Sequence, residues 1–210
     1  GVKFETLVGG DDQIPFFRLP DLTTVSNETD YASTFFDHPN QYFGSLISGD
    51  VLSDNPYGTT SPTPFFDRYL YVPSLAVGRL VESPTDITNA VNQFVSFGGR
   101  LSPSTALVTG YDFLADGSKQ VATSQTTELG STNVKTLIDD PGATTPWSAS
   151  SLNTALGASP ASVLSLNAHY DHYRLLPSDQ GALFNTSQMT GKNLAGRYVF
   201  TMGCHAGFSA

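Results

Sequence analysis

An α/β fold, built on a mainly parallel sheet flanked by helices, is what this sequence predicts, on three observations. Short apolar runs bounded by turn residues recur along the chain, as strands buried in a sheet require. Stretches of helical spacing fall between several of those runs, the alternation that builds parallel units. A chain of 210 residues, 39% hydrophobic, has enough apolar side chain to bury a real core in one large domain or two small ones.

The elements follow in order. Phe4 to Val8 reads as a short buried strand, stopped by Gly9-Gly10 and Asp11-Asp12. That acidic pair is expected to form a solvated turn, with calcium ligation as the rival reading. From Pro15 to Pro73 the chain is rich in Pro, Asp, Asn and aromatics with little periodicity, so it reads as long ordered loops. Phe16-Phe17, Phe35-Phe36 and Phe65-Phe66 are expected to pin those loops onto the core. Leu75 to Leu80 is a second strand. Ser83-Pro84-Thr85-Asp86 is a helix start, with Ser83 as cap and Pro84 in the first turn. Ile87, Ala90, Val91, Phe94 and Val95 follow at helical spacing, and Gly98-Gly99 ends the helix.

Thr105 to Thr109 is the next strand, ended by Gly110-Tyr111-Asp112, and a helix over 119–129 stops at Gly130. Val134 to Ile138 is a strand. Ser148 caps a short helix carrying Leu152, Ala155 and Leu156, stopped by Gly157. Two further runs, 163–166 and 198–203, are joined by a crossover long enough for parallel pairing, with a short helix after Thr186. Neither an internal repeat nor a low-complexity segment interrupts this order.

Composition narrows the function. With 10 Lys+Arg against 19 Asp+Glu the net charge is −9, which argues against nucleic acid and against an anionic membrane surface, and suits a basic substrate. No apolar run approaches the roughly 18 residues of a membrane span. One cysteine leaves no internal disulfide framework. Few lysines and abundant Ser and Thr point to a secreted bacterial protein, extracellular or at the cell surface. There is no signal pattern, and an opening Gly1 without methionine suggests a processed or cut chain.

The chemistry concentrates in the last third. Val163-Leu164-Ser165-Leu166 opens onto Asn167-Ala168-His169, and Tyr198 to Gly203 opens onto Cys204-His205-Ala206-Gly207. If these two strands lie side by side and parallel, His169 and Cys204 emerge together at the carboxyl edge of the sheet, where open α/β sheets place their sites. A thiol is activated by an imidazole that takes its proton, and backbone N–H groups around Gly203-Cys204 can face a developing oxyanion. A lone cysteine is otherwise a small buried hydrophobe. His38 and His172 read as loop residues, and His205 points away from Cys204 if the backbone there is extended. Zinc held by His169, His172 and Cys204 is a further rival, although no carboxylate motif accompanies it. Nucleophile-elbow, P-loop and dinucleotide motifs are missing.

At these residues the chain resembles the gingipain-type cysteine peptidases of the caspase-like clan, which place His and then Cys after two buried strands. Leu7-Val8-Gly9-Gly10-Asp11-Asp12-Gln13-Ile14-Pro15 is similar to the family's strand-Gly-Asp and Ile-Pro segment. Ser53-Asp54, with Pro56-Tyr57-Gly58, resembles its Asp-and-Tyr loop. Ala76-Val77-Gly78-Arg79-Leu80, followed by Glu82-Ser83 and a helix, resembles its Ile-Gly-Arg strand. The interval from His169 to Cys204 is also close to the family's, while His172 offers a second register.

The resemblance implies a caspase-like three-layer sandwich. Residues 1–100 would be a partial first α/β subdomain and 101–210 a catalytic subdomain carrying the dyad, truncated soon after Cys204. It implies a cysteine endopeptidase acting on protein or peptide substrates, with Cys204 as nucleophile and His169 as catalytic histidine. Tyr170 stands where the family has the glycine whose N–H helps form the oxyanion hole. Asp112 or Asp116 would be the acidic residue of a pocket for a basic side chain. No cofactor is required by the chemistry, and structural calcium is a family trait without assignable ligands here. The rival function is a catalytically silent, peptidase-like binding or secretion-associated domain, favoured by Tyr170 and the early C-terminus.

Overall fold

The computed structural model describes residues 1–33, 42–140 and 146–206. The chain divides between Ala90 and Val91 into two compact units. In chain order the first contains β1 (Phe4–Val8), β2 (Phe17–Pro20), α1 (Glu28–Ala32), α2 (Phe43–Ile47), β3 (Asp50–Ser53), β4 (Thr63–Phe65), β5 (Arg68–Leu70) and β6 (Ala76–Leu80). Helix α3 (Pro84–Ser96) carries the division, which therefore falls ahead of the expected boundary at 100.

β1 and β6 pair in parallel, Phe4 opposite Ala76 through Val8 opposite Leu80. Arg79 of β6 is the organising side chain of this unit. Its guanidinium is paired with Asp54 at 2.5 Å and donates at 2.8 Å to the carbonyls of both Gly9 and Ile14. It also lies 4.2 Å over the Phe16 ring. The side chain is only 8% exposed, so the charge is tolerated because every direction it faces holds a partner. One arginine thus ties together the Gly9–Pro15 turn, the loop after β3 and the β1–β6 pair. Tyr57 adds a hydroxyl bond to the Pro15 carbonyl at 2.6 Å.

The stretch from Pro15 to Pro73 is more regular than its composition suggests. β2 pairs antiparallel with β3, and β4 with β5 in a tight hairpin. Cross-strand backbone pairing supplied this order, which side-chain periodicity does not encode in ribbons this short. Phe16 does pack, against Arg79 and Tyr42. Phe65 and Phe66 instead stack on each other at the hairpin tip, with Phe66 92% exposed. Phe35-Phe36 and His38 lie outside the described residues. Asp11 is a buried ion-pair member: both its oxygens accept from Arg18, at 2.7 and 2.5 Å, and one accepts from the Phe16 N–H. Arg18 therefore holds the Asp11 carboxyl below the usual carboxylate range.

Helix α3 begins as its sequence predicts. Ser83 Oγ accepts from the Asp86 N–H, and the Asp86 carboxylate accepts from the Ser83 N–H, each at 3.2 Å. Among the described residues, Phe94 and Val95 of its apolar stripe are about two-thirds exposed.

The second unit contains β7 (Ala106–Tyr111), α4 (Ala115–Leu129), β8 (Val134–Asp139), α5 (Ala149–Leu156), β9 (Val163–Asn167), β10 (His169–Tyr170), β11 (Arg174–Leu176), β12 (Phe184–Asn185) and β13 (Tyr198–Met202). Four strands form a parallel sheet in the order β13-β9-β7-β8. The α/β expectation holds for this unit, with helices flanking the sheet. Every residue of β7 and β9 is buried, which explains why both are mostly apolar on both faces, with Thr109, Ser165 and Asn167 as the polar exceptions. Leu107 and Tyr111 of β7 pack with Leu164, Leu166 and Ala168 against Leu152 and Leu156 of α5. Burying each leucine stabilises the fold by about 1.5–3 kcal/mol. Ser148 caps α5 through a reciprocal pair of bonds with Ser151.

Two boundaries move, for one reason. β7 runs through Gly110 to Tyr111, and α4 begins at Ala115, just past a 3-10 turn over Asp112–Leu114. A Cβ on Gly110 would lie 2.2 Å from Ser118 Oγ, so this glycine is the close-approach point where α4 docks on the strand and does not end it. The crossover between β9 and β13 holds a small antiparallel sheet, β10-β11-β12, followed by a 3-10 turn at Thr186–Met189.

Candidate functional site

The connection through α4 places β8 on one side of β7, and the connection through α5 brings β9 to the other. The strand order therefore reverses between β7 and β9, where open α/β sheets form a crevice at their carboxyl ends. The hydrogen-bonded register of β7 with β9 stops at Val108 opposite Ser165. Beyond it β7 continues along β8 to Tyr111, and β9 continues along β13 to Asn167. The sheet thus splays at its carboxyl edge.

Three candidate residues leave that edge from three neighbouring strands. Cys204 follows β13, His169 opens β10 just past β9, and Asp112 follows β7. Asp112 has a φ of 54°, a left-handed conformation that aspartate tolerates better than most residues, in the turn that feeds α4. Its Oδ2 is 3.5 Å from His169 Nε2, and the two side chains are 65% and 42% exposed. The imidazole is further held by Tyr111 and Phe113, each edge-on with ring centroids 5.5 Å away. The Tyr111 hydroxyl donates to the Leu176 carbonyl at 2.7 Å and accepts from the His169 N–H at 3.4 Å. Burial pushes the Tyr111 phenol upward, so it stays a neutral hydrogen-bonding group.

Cys204 is exposed and has no disulfide partner. Gly203, immediately before it, determines how its strand end sits. A Cβ there would lie 2.4 Å from Tyr170 Cδ2 and 2.5 Å from the Ala168 carbonyl oxygen. Ala168 and Tyr170 are the residues on either side of His169, so the approach to Cys204 is seated on the backbone that carries the imidazole. The Ala168 N–H donates to Met202 O at 3.2 Å and extends the β9–β13 ladder to this point.

Tyr170 points its hydroxyl back to the Leu166 carbonyl at 3.1 Å, and burial raises its pKa well above the ordinary phenol value. Its ring packs behind the Cys204 segment. Asp116 lies exposed in the first turn of α4 and accepts from the Gly117 N–H at 2.7 Å. Of the two pocket candidates, Asp112 is the one brought to His169. His172 sits in the loop between β10 and β11, stacked on Tyr173, and burial lowers its pKa. His205 adopts a φ of 58°, so the chain turns directly after the cysteine and does not run on extended.

Among the described residues no three His, Cys, Asp or Glu side chains group as metal ligands, so His169, His172 and Cys204 are not assembled as the zinc reading requires. Likewise Asp11 is committed to Arg18, and an Asp12 oxygen accepts from Gln13 at 3.1 Å. No helix among the described residues is long and apolar enough to cross a membrane.

Sequence reasoning missed Tyr111, Phe113 and the orienting position of Asp112. A Tyr-Asp pair at the end of a mostly apolar strand was the available signal. Its partner lies 57 residues away, and only strand pairing brings the two together. Comparison with family models, curated proteins and solved structures finds no match to this chain.

Proposed function

We propose that the chain is a cysteine endopeptidase domain of the gingipain type, with a caspase-like fold, that acts outside the bacterial cell on protein or peptide substrates. The observation that carries this reading is the order across the sheet edge: thiol after β13, imidazole after β9, carboxylate after β7. A nucleophile, a base and a group that orients the base are the parts covalent acyl transfer needs.

In the proposed reaction, Asp112 accepts from His169 Nε2–H, which leaves Nδ1 as the basic atom. Nδ1 takes the Cys204 proton, and the thiolate sulfur bonds to the peptide carbonyl carbon. As the tetrahedral intermediate collapses, the C–N bond breaks and the imidazolium returns its proton to the leaving amine. Water, deprotonated by the same nitrogen, then attacks the thioester. The C–S bond breaks to give a carboxylic acid and the free thiol. A 3.5 Å carboxylate–imidazole distance is long for a hydrogen bond and suits a free site that tightens when substrate excludes water.

Iodoacetamide labelling of Cys204 across pH 4 to 9, paired with hydrolysis of denatured casein, tests the proposal. His169→Ala is expected to slow labelling at pH 6 at least tenfold and to abolish hydrolysis. Equal labelling in both proteins, without hydrolysis by the wild type, refutes the peptidase and leaves the silent binding domain.

A further inference from the structure

A buried polar cluster lies directly beneath the splay in the sheet. Thr109 and Asn167 are 0% and 3% exposed, and Ser118 and Ser165 are each 2% exposed. Where the β7–β9 ladder stops, the Thr109 side chain takes over from backbone pairing. Its Oγ1 accepts from the Asn167 N–H at 2.8 Å and donates to the Asn167 carbonyl at 3.2 Å. The Asn167 amide answers from the other strand: Nδ2 reaches Thr109 O at 3.0 Å and the hydroxyls of Ser118 and Ser165 at 3.1 Å each. Because Thr109 O can only accept, the orientation of the amide is fixed.

As a device for stability this arrangement is poor. Asn167 Oδ1 is buried with no hydrogen-bond partner among the described residues, a net cost that an apolar residue of similar volume avoids. Buried groups kept at a cost cluster where geometry matters to function. Here Asn167 is two residues before His169, and Thr109 is three before Asp112. A side-chain bridge between them sets how far apart the two strand ends stand. Ordinary ladder bonds in its place would draw the strands together and close the crevice.

We propose that Thr109 and Asn167 are positioning residues: their side-chain bridge holds β7 and β9 at the separation that lets Asp112 orient His169. This rests on the peptidase reading only for its consequence at Cys204. The juxtaposition of His169 and Asp112 is tested separately.

The test uses the full chain with two readouts. Ring 15N shifts of His169 at pH 8 report which nitrogen carries the proton, and iodoacetamide labelling at pH 6 reports Cys204. Thr109→Val removes the hydroxyl at nearly constant shape, Thr109→Ser restores it, and Asp112→Asn provides the uncoupled reference. Folding of each variant is checked by circular dichroism. Thr109→Val is expected to weaken the Nε2–H preference toward that of a free histidine side chain, as Asp112→Asn does, and to label at least tenfold more slowly, with Thr109→Ser within twofold of wild type in both readouts. A folded Thr109→Val with the wild-type tautomer overturns the proposal. If that variant does not fold, Thr109→Ala carries the test, since it too removes the bridging hydroxyl and adds no second methyl beside the Asn167 backbone. The same tautomer change is then expected, and an unchanged tautomer overturns the proposal. If Thr109→Val shifts the tautomer while His169→Ala leaves labelling unchanged, the positioning role stands and the peptidase reading falls.

Discussion

A methyl group added just before Cys204 is the sharpest perturbation this fold allows. In Gly203→Ala the new Cβ would sit 2.4 Å from Tyr170 Cδ2 and 2.5 Å from Ala168 O, about 1 Å inside ordinary contact on both sides. The Tyr170 ring cannot swing away cheaply, because its hydroxyl is bonded to Leu166 O in a buried setting. The Ala168 oxygen is backbone, next to the residue that carries the imidazole. The strain is therefore relieved by moving the Gly203-Cys204 segment off its seat. Overpacking of this kind costs about 1–3 kcal/mol of stability. A displacement near 1 Å at a reacting group costs roughly 100-fold in rate. Thermal unfolding and Cys204 labelling at pH 6 measure the two effects. The expected variant is folded, modestly less stable and roughly 100-fold slower to label. Gly203→Ala combined with Tyr170→Ala recovers only part of the loss, since the Ala168 oxygen remains. A folded Gly203→Ala that labels at the wild-type rate refutes the seating argument.

Two further outcomes follow from residues away from the thiol. Gly110→Ala places a Cβ 2.2 Å from Ser118 Oγ and 2.5 Å from its Cβ, so α4 must lift from β7; a loss of about 1–3 kcal/mol in denaturant unfolding is expected, and no loss would mean that helix and strand are not docked there. Asp11 has a folded-state pKa lowered by Arg18, so its contribution is present above the ordinary carboxylate range and disappears as pH falls through the folded value. Melting followed between pH 6 and pH 2 should show that acid-side decline in the wild type and lose part of it in Arg18→Gln, whereas parallel curves would contradict the assignment.

The local elements were legible because each is written in neighbouring residues. Ser83 and Ser148 start helices through side chains that reach three residues ahead, and the apolar runs at β7, β9 and β13 need no partner to be recognised, although β13 is largely exposed where a buried strand was expected. His169 and Cys204 were visible as candidates for the same reason: each follows closely on such a run. Less was visible between Pro15 and Pro73, where ribbons of three or four residues are fixed by pairing across the chain. Gly110 was read as a strand end because the sequence shows a missing side chain but not the helix that fills its place.

What the sequence determined by itself is therefore the longer strands and helices of the chain and the positions at which His169 and Cys204 follow two of the strands. The tertiary structure alone decided the strand order, and with it the reversal between β7 and β9. It also decided that Asp112 faces His169 and that Thr109 and Asn167 bridge the opening. The physical reason is range. Capping and periodicity act over a few residues, whereas these contacts join residues 57 or 58 positions apart that meet only when parallel strands pair.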